Sequence, residues 1–281
     1  MRRKVFVVLT VCLLGFVGSA FPQAAKSGPS ATAPAQQNDA AVQAREELDR
    51  GAQAFKGDRY DEAAEHFERA ITLDPSLLTA RLYLGTTYMQ QWNPDSDTPG
   101  NSRYADLAIQ KFSHLLQSPD LNKESRLHGL KSLAVIYYNR KELDKSMTLY
   151  QQCIELDPDD PEVYYMIGVI DWAEAYQAAI EIKAKIGLQV DDQYQDKEDH
   201  KRNCQEQQNL SSAKIANGIA ALGKAIELRP NFEDAMAYMN LLYRRKGDLE
   251  CADSPARAAD IRTADEWADK TMETRKAKMR N

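Results

Sequence analysis

From Ala44 onward the apolar residues fall in groups three and four positions apart, the spacing that lays one apolar stripe along a helix. Three stretches read almost alike: Ala70-Ile71-Thr72-Leu73-Asp74-Pro75, Cys153-Ile154-Glu155-Leu156-Asp157-Pro158 and Ala225-Ile226-Glu227-Leu228-Arg229-Pro230. Each closes a helical pattern on a proline that cannot continue it. Upstream of the first proline stand Gly51, Ala63, Phe67 and Ala70, so the steps down to Pro75 are 12, 4, 3 and 5 residues. Small residues in such an order let two antiparallel helices cross closely, and the large one fills the gap to the next pair. The pattern predicts an all-α chain built from repeated helix pairs.

These positions resemble the tetratricopeptide repeat, a 34-residue helix-turn-helix unit. A second unit opens with Leu84, Gly85 and Tyr88, its glycine one 34-residue step after Gly51, and its second helix (Ala108, Phe112, Leu115) is delayed by an 11-residue insertion. The third carries Leu133, Ala134, Tyr137, Ser146, Tyr150, Cys153 and Pro158 in register, with Ala134 and Ser146 keeping the crossing small. A fourth opens with Tyr164, Ile167 and Gly168 and closes with Gly218, Leu222, Ala225 and Pro230, but Pro158 to Pro230 is 72 residues, 38 more than one repeat. Within the excess, Trp172, Ala175, Ala179, Ile182 and Ile186 extend the first helix from Val163 to Ile186, and Leu210, Ala213, Ile219 and Leu222 supply a return helix. Asp191 to Gln208 is polar and reads as a tip or loop, so this unit is expected to project as a helical hairpin. The fifth unit has Asn240 in place of a small residue and a final helix starting at Ser254-Pro255, whose Lys270, Arg275, Lys276 and Lys278 suit a solvated cap. The resemblance implies a right-handed solenoid of antiparallel helix pairs, with repeats at about 44–77, 78–122, 127–160, 161–232 and 233–281.

The N-terminus reads as an address. Arg2, Arg3 and Lys4 precede an apolar run from Val5 to Val17, then Gly18, Ser19 and Ala20, which fits a secretory signal peptide over residues 1–20 cleaved after Ala20. The run is shorter than the ~20 residues that a membrane anchor needs, so no transmembrane span is expected once the signal is removed. Residues 21–42 are rich in Ala, Pro, Gln and Ser and are expected to be a disordered linker. The mature chain is expected in the periplasm or outside the cell. Three cysteines remain beyond the signal; Cys153 falls where a small buried residue is wanted, which leaves Cys204 and Cys251 as the expected disulfide.

With 42 acidic and 36 basic residues the chain carries a net charge of −6, a poor basis for gripping nucleic acid through its phosphates. Catalytic and metal motifs are thin. Gly218 to Ala225 nearly spells a phosphate-binding loop, yet Ala225 stands where Ser or Thr must hold magnesium, and no strand precedes it. Asn93, Asp95 and Asp97 alternate as in a calcium loop, but the glycine position is Thr98 and no glutamate closes it. His66, His114, His128 and His200 are scattered, without the spacing of a zinc site. No enzyme activity, metal or cofactor is expected.

What remains is a surface. The resemblance implies that the first helix of each pair lines a concave groove, whose side chains by register include Leu82, Tyr83, Thr86, Lys131, Tyr138, Asn139, Tyr165, Trp172, Tyr238, Arg244 and Arg245. Aromatics with a few cations are what protein-binding hot spots use. Only Lys131 matches the paired Lys and Asn with which some relatives clamp a peptide carboxylate. The expected function is an exported scaffold that binds a protein or peptide in this groove. Two alternatives are a ligand site or enzyme between the hairpin and the array, using Trp172 and Tyr176, and self-association through the hairpin.

Overall fold

The computed structural model describes residues 35–251 and 254–280. They divide into a unit Met1–Asp39, of which only the start of the first helix is described, and a unit Ala40–Asn281, which holds everything that follows. The expected signal peptide, and the linker as far as residue 34, lie outside the described residues. The remainder of that linker is helical, because α1 runs Ala35–Lys56. Past Pro34 the segment has no further proline or glycine until Gly51 and is rich in alanine and glutamine, which cost little in a helix.

Among the described residues nine helices follow: α2 Tyr60–Leu73, α3 Leu78–Gln91, α4 Pro99–Leu116, α5 Lys123–Asn139, α6 Leu143–Leu156, α7 Pro161–Ala184, α8 Glu198–Leu228, α9 Glu233–Asp248 and α10 Pro255–Lys278. No strand occurs among the described residues. Neighbours in sequence pack on one another, and leading helices also touch across pairs, α3 on α5 and α7 on α9. This is a solenoid of helix pairs.

The small residues sit where the crossings need them. A Cβ on Gly51 would come within 2.6 Å of the Phe67 ring, on Gly85 within 2.9 Å of Phe112, and on Gly168 within 2.5 Å of Leu222. Phe67, Phe112 and Leu222 are fully buried. Ser146 keeps the third crossing close in another way, donating its hydroxyl to the Ala134 carbonyl at 2.8 Å. Asn240, too large for such a site, instead donates its amide to Ala264 O of α10 at 2.6 Å. Helix starts are capped locally: Thr98, Asn122, Asp160 and Ser254 each accept a backbone N–H from the first turn.

The fourth unit departs from expectation in two ways. Its return helix starts ten residues before Gln208, at Glu198, so most of the segment expected to be a tip is the opening of α8. The stripe that this stretch buries is polar: His200, Cys204, Gln207 and Ser211, at helical spacing, lead into Ile215 and Gly218. Nor does the hairpin stand free. Its end is seated on the C-terminus of α9, where Cys204 and Cys251 are joined by a disulfide and Gln208 donates to Leu249 O at 2.5 Å. Lys183, fully buried, donates to the carbonyls of Val190 and Asp192, both at 2.8 Å. Beside it the Asp248 carboxylate lies 3.6 Å from Lys183 and 2.9 Å from Arg245. Burial pushes the Lys183 ammonium below and the Asp248 carboxyl above their usual ranges, against the pull of their attraction. The pair therefore holds position more than it adds stability.

Candidate inner-face interaction site

Side-chain contacts that pass directly from one leading helix to the next mark the shared inner side of the array. Phe55 of α1 meets Tyr83 of α3 edge-on at 6.4 Å, and Tyr83 stacks on Phe67 at 5.6 Å. Thr86 of α3 is 3.1 Å from His128 Nε2 of α5. Lys131 of α5 pairs with Asp160, the residue that caps α7. Tyr165 and Trp172 of α7 both lie edge-on to Tyr238 of α9, at 5.7 and 5.4 Å. Phe232, just ahead of α9, packs on Tyr165 at 5.0 Å.

The groove residues anticipated from the register divide into three groups. Tyr83, with Leu82, is half-buried in an N-terminal aromatic cluster. Tyr138, Tyr165, Trp172 and Tyr238 form a C-terminal seam, each less than a tenth exposed. The remaining polar ones are occupied. The Asn139 amide donates to Val135 O of its own helix at 2.9 Å, and Lys131 is neutralised by Asp160. Arg244 reaches Asp265 of α10 at 2.7 Å, and Arg245 is buried, bonding Val190 O and Asp191 at the hairpin end. Both arginines are turned away from the inner face, because α9 is covered on one flank by α10 and on the other by the hairpin.

Register reasoning missed Phe232 and His128. Phe232 precedes its helix and so belongs to no helical stripe. The three-residue step from His128 to Lys131 could have marked it as sharing the Lys131 face.

Electrostatically the seam is quiet. Burial pushes the Tyr138 hydroxyl up to about 12 and those of Tyr165 and Tyr238 further, so all three stay protonated at any physiological pH. Burial and the nearby Lys131 hold His128 below its usual range, and the Cys153 thiol is pushed up to about 12 by burial. Such groups can donate hydrogen bonds and offer apolar area; they have no activated nucleophile or base among them. Among the described residues no three His, Cys, Asp or Glu side chains come together to hold a metal ion.

Between the hairpin and the α5–α6 turn lies an open cleft of about 360 Å³, with Leu143, Ala178 and Leu210 as its apolar lining and Lys141, Glu174 and Lys214 among its charges. Trp172 and Tyr176, the residues anticipated for a ligand site there, stack on each other at 5.0 Å and are not part of its wall.

Comparisons with known proteins agree with the geometry. A tetratricopeptide repeat profile matches residues 54–77, the end of α1 with α2, and a TPR repeat profile matches residues 135–172, from late α5 through α6 into α7. No curated protein matches the sequence. Among solved structures, MamA protein is 16% identical with a TM-score of 0.55 over 85% of this chain and 94% of its own. MamA 41-end from Desulfovibrio magneticus RS-1 is 13% identical with a TM-score of 0.55, covering 84% and 96%. YrrB, described as a TPR protein with an unusual peptide-binding site, is 13% identical with a TM-score of 0.50, covering 83% and 90%. Likeness at these identities is likeness of fold. The repeat matches, the close glycine crossings and the stacked helix pairs together show that this chain carries tetratricopeptide repeats within a solenoid of helix pairs.

Proposed function

We propose that the protein is an exported, non-enzymatic scaffold that binds a peptide segment of a partner along the inner face of its leading helices. One observation carries the reading: the direct contacts from α1 to α3, α3 to α5 and α7 to α9 set apolar and aromatic side chains in a row on one side. Large rigid rings give contact area at little entropic cost, which favours binding by a few anchors. YrrB, of similar fold, is described as binding peptide. Export is supported by the charged, apolar and small-residue order of residues 2–20, and by the Cys204–Cys251 disulfide, a bond that persists in oxidising compartments.

Photocrosslinking in the producing cell tests the binding face. Benzoylphenylalanine at Leu82 or Val135, both half-buried on leading helices, is expected to give protein adducts. The same probe at Glu65 or Gln151, exposed on α2 and α6, is expected to give none. Adducts confined to the α2 and α6 positions would refute the inner-face assignment. N-terminal sequencing tests export: a chain starting at Phe21 is expected, and a retained Met1 on the mature protein would overturn it.

A further inference from the structure

The hairpin is held to α9 differently along its length. Close to the array the contacts are apolar: a Cβ on Gly218 would come within 2.9 Å of Leu242, and Trp172 lies edge-on to Tyr238. Farther out, between Lys183 and Ser211, the hairpin meets α9 and the turn after it through polar groups. Arg245 donates to Val190 O at 3.1 Å and pairs with Asp191 at 2.7 Å, and Lys183 stands 3.6 Å from Asp248. Gln208 donates to Leu249 O. The stripe that α8 buries in this stretch is polar as well, and Gln207 Nε2 and Ser211 Oγ are wholly buried with no hydrogen-bond partner among the described residues.

Such a seat holds weakly by itself. Each orphaned polar atom costs free energy in place and regains a partner in water on release. Burial pushes the Lys183 ammonium down and the Asp248 carboxyl up, so desolvation offsets much of the attraction between them. The covalent tie at this end is the Cys204–Cys251 disulfide, and it closes on a strained residue: Cys251 has a φ of 54°, left-handed backbone that a residue with a Cβ disfavours. Cys204 is fully buried and Cys251 partly exposed, so a reagent arriving from solvent meets the Cys251 sulfur.

We propose that the Cys204–Cys251 disulfide is a redox latch: oxidised, it holds the outer part of the hairpin on the end of α9, and when a dithiol reduces it that part lifts away while the helix pairs stay folded. One thiolate of the dithiol attacks Cys251 Sγ, the S–S bond breaks, and Cys204 leaves as a thiolate that takes up a proton. The second thiolate of the dithiol then attacks the first one's sulfur and releases Cys251, which is protonated in turn. The dithiol is oxidised to a disulfide by two electrons, and the two cysteines are reduced to thiols. Release also frees Arg245, which the hairpin end holds away from the inner face. The latch goes beyond the peptide-binding reading and does not depend on it.

The test reduces the full chain with dithiothreitol under native conditions, removes the reductant without oxygen, and pulses with iodoacetamide while peptide mass spectrometry reads each cysteine. Cys153 is the internal standard, since it is fully buried, its thiol is pushed up to about 12 by burial, and its helix pair lies outside the hairpin. Cys204, equally buried while the latch is closed, is expected to be alkylated at least ~10-fold faster than Cys153, because local release opens more readily than the whole fold. Hydrogen exchange is expected to quicken over residues 185–211 and to stay unchanged over α1 to α6. Alkylation of Cys204 as slow as that of Cys153 would show that the seat holds without the bond, and would overturn the latch. Fast alkylation of both, with exchange rising throughout, would make the bond a staple of the entire fold and overturn it equally. A disulfide that dithiothreitol leaves intact in the folded protein would do the same.

Discussion

Gly168→Ala is a sharp probe of how the fourth helix pair is held together, because the same substitution five residues beyond Gly218 on the facing helix should act in the opposite direction. In an unconstrained helix, glycine to alanine stabilises by about 0.8–1 kcal/mol. At Gly168 the added Cβ would sit 2.5 Å from Leu222 Cγ, 2.6 Å from its Cδ2 and 3.2 Å from the Gly218 carbonyl. Leu222 is fully buried and cannot swing clear, and the carbonyl is backbone, so α7 and α8 must separate. Overpacking of that kind costs about 1–3 kcal/mol, and two sub-contact distances with a backbone atom behind them place this case near the upper end. The net expectation is a loss of about 2 kcal/mol. At Gly223 of α8 nothing lies within 4 Å of the new methyl, so Gly223→Ala should gain the helix term of about 0.8 kcal/mol. Equilibrium urea unfolding followed by far-ultraviolet circular dichroism reads both; with a slope of about 2 kcal/mol per molar, the two midpoints should move apart by more than 1 M. If Gly168→Ala raises the midpoint as Gly223→Ala does, the close crossing is wrong and with it the helix register of the fourth pair.

Three further outcomes follow from the hairpin and its helices. Reducing the Cys204–Cys251 bond, or Cys204→Ser, reopens a 47-residue loop and should lower stability by up to about 4 kcal/mol on the chain-entropy account, measured as a urea midpoint with and without dithiothreitol. An unchanged midpoint would mean that the bond is not formed in solution. Asp248→Ala leaves Lys183 and Arg245 buried without their shared carboxylate, and should cost about 3 kcal/mol, the low end for a broken buried pair because Val190, Asp191 and Asp192 still hold the cations. A loss below half of that would show water reaching the site. Asp171, buried and bonded to Asn217 at 2.6 Å, has its carboxyl raised to about 6 by burial, so the folded state holds its proton longer than the unfolded one and stability falls as pH rises from about 4 to 6. Asp171→Asn should therefore raise the urea midpoint at pH 7 and leave it nearly unchanged at pH 4; an equal shift at both would exclude ionisation as the cause.

The helix pairs were legible in the chain because their signals are local. A proline stops a helix at its own position, and the glycines that admit Phe67, Phe112 and Leu222 stand in the same order with them in each pair, although the step is 16 positions from Gly51 and widens to 27 from Gly85 and 54 from Gly168 where insertions intervene. Ser254 followed by Pro255 announced the last helix for the same reason. The opening of α8 escaped because its buried stripe of His200, Cys204, Gln207 and Ser211 is polar, and periodicity read from apolar residues is blind to it. Those side chains are buried only because the hairpin end folds back onto α9, a contact between residues more than forty positions apart that no helical period encodes. Arg245 is the clearest instance. Its place in the repeat assigned it to the groove, and the chain segment Val190–Asp191, arriving from 54 and 55 positions away, drew it to the opposite flank. The sequence alone determined the helix pairs that prolines end and small residues let cross, through backbone sterics and local spacing. Only the tertiary structure decided where the hairpin rests and which polar side chains it buries, since both depend on partners brought together in space by packing.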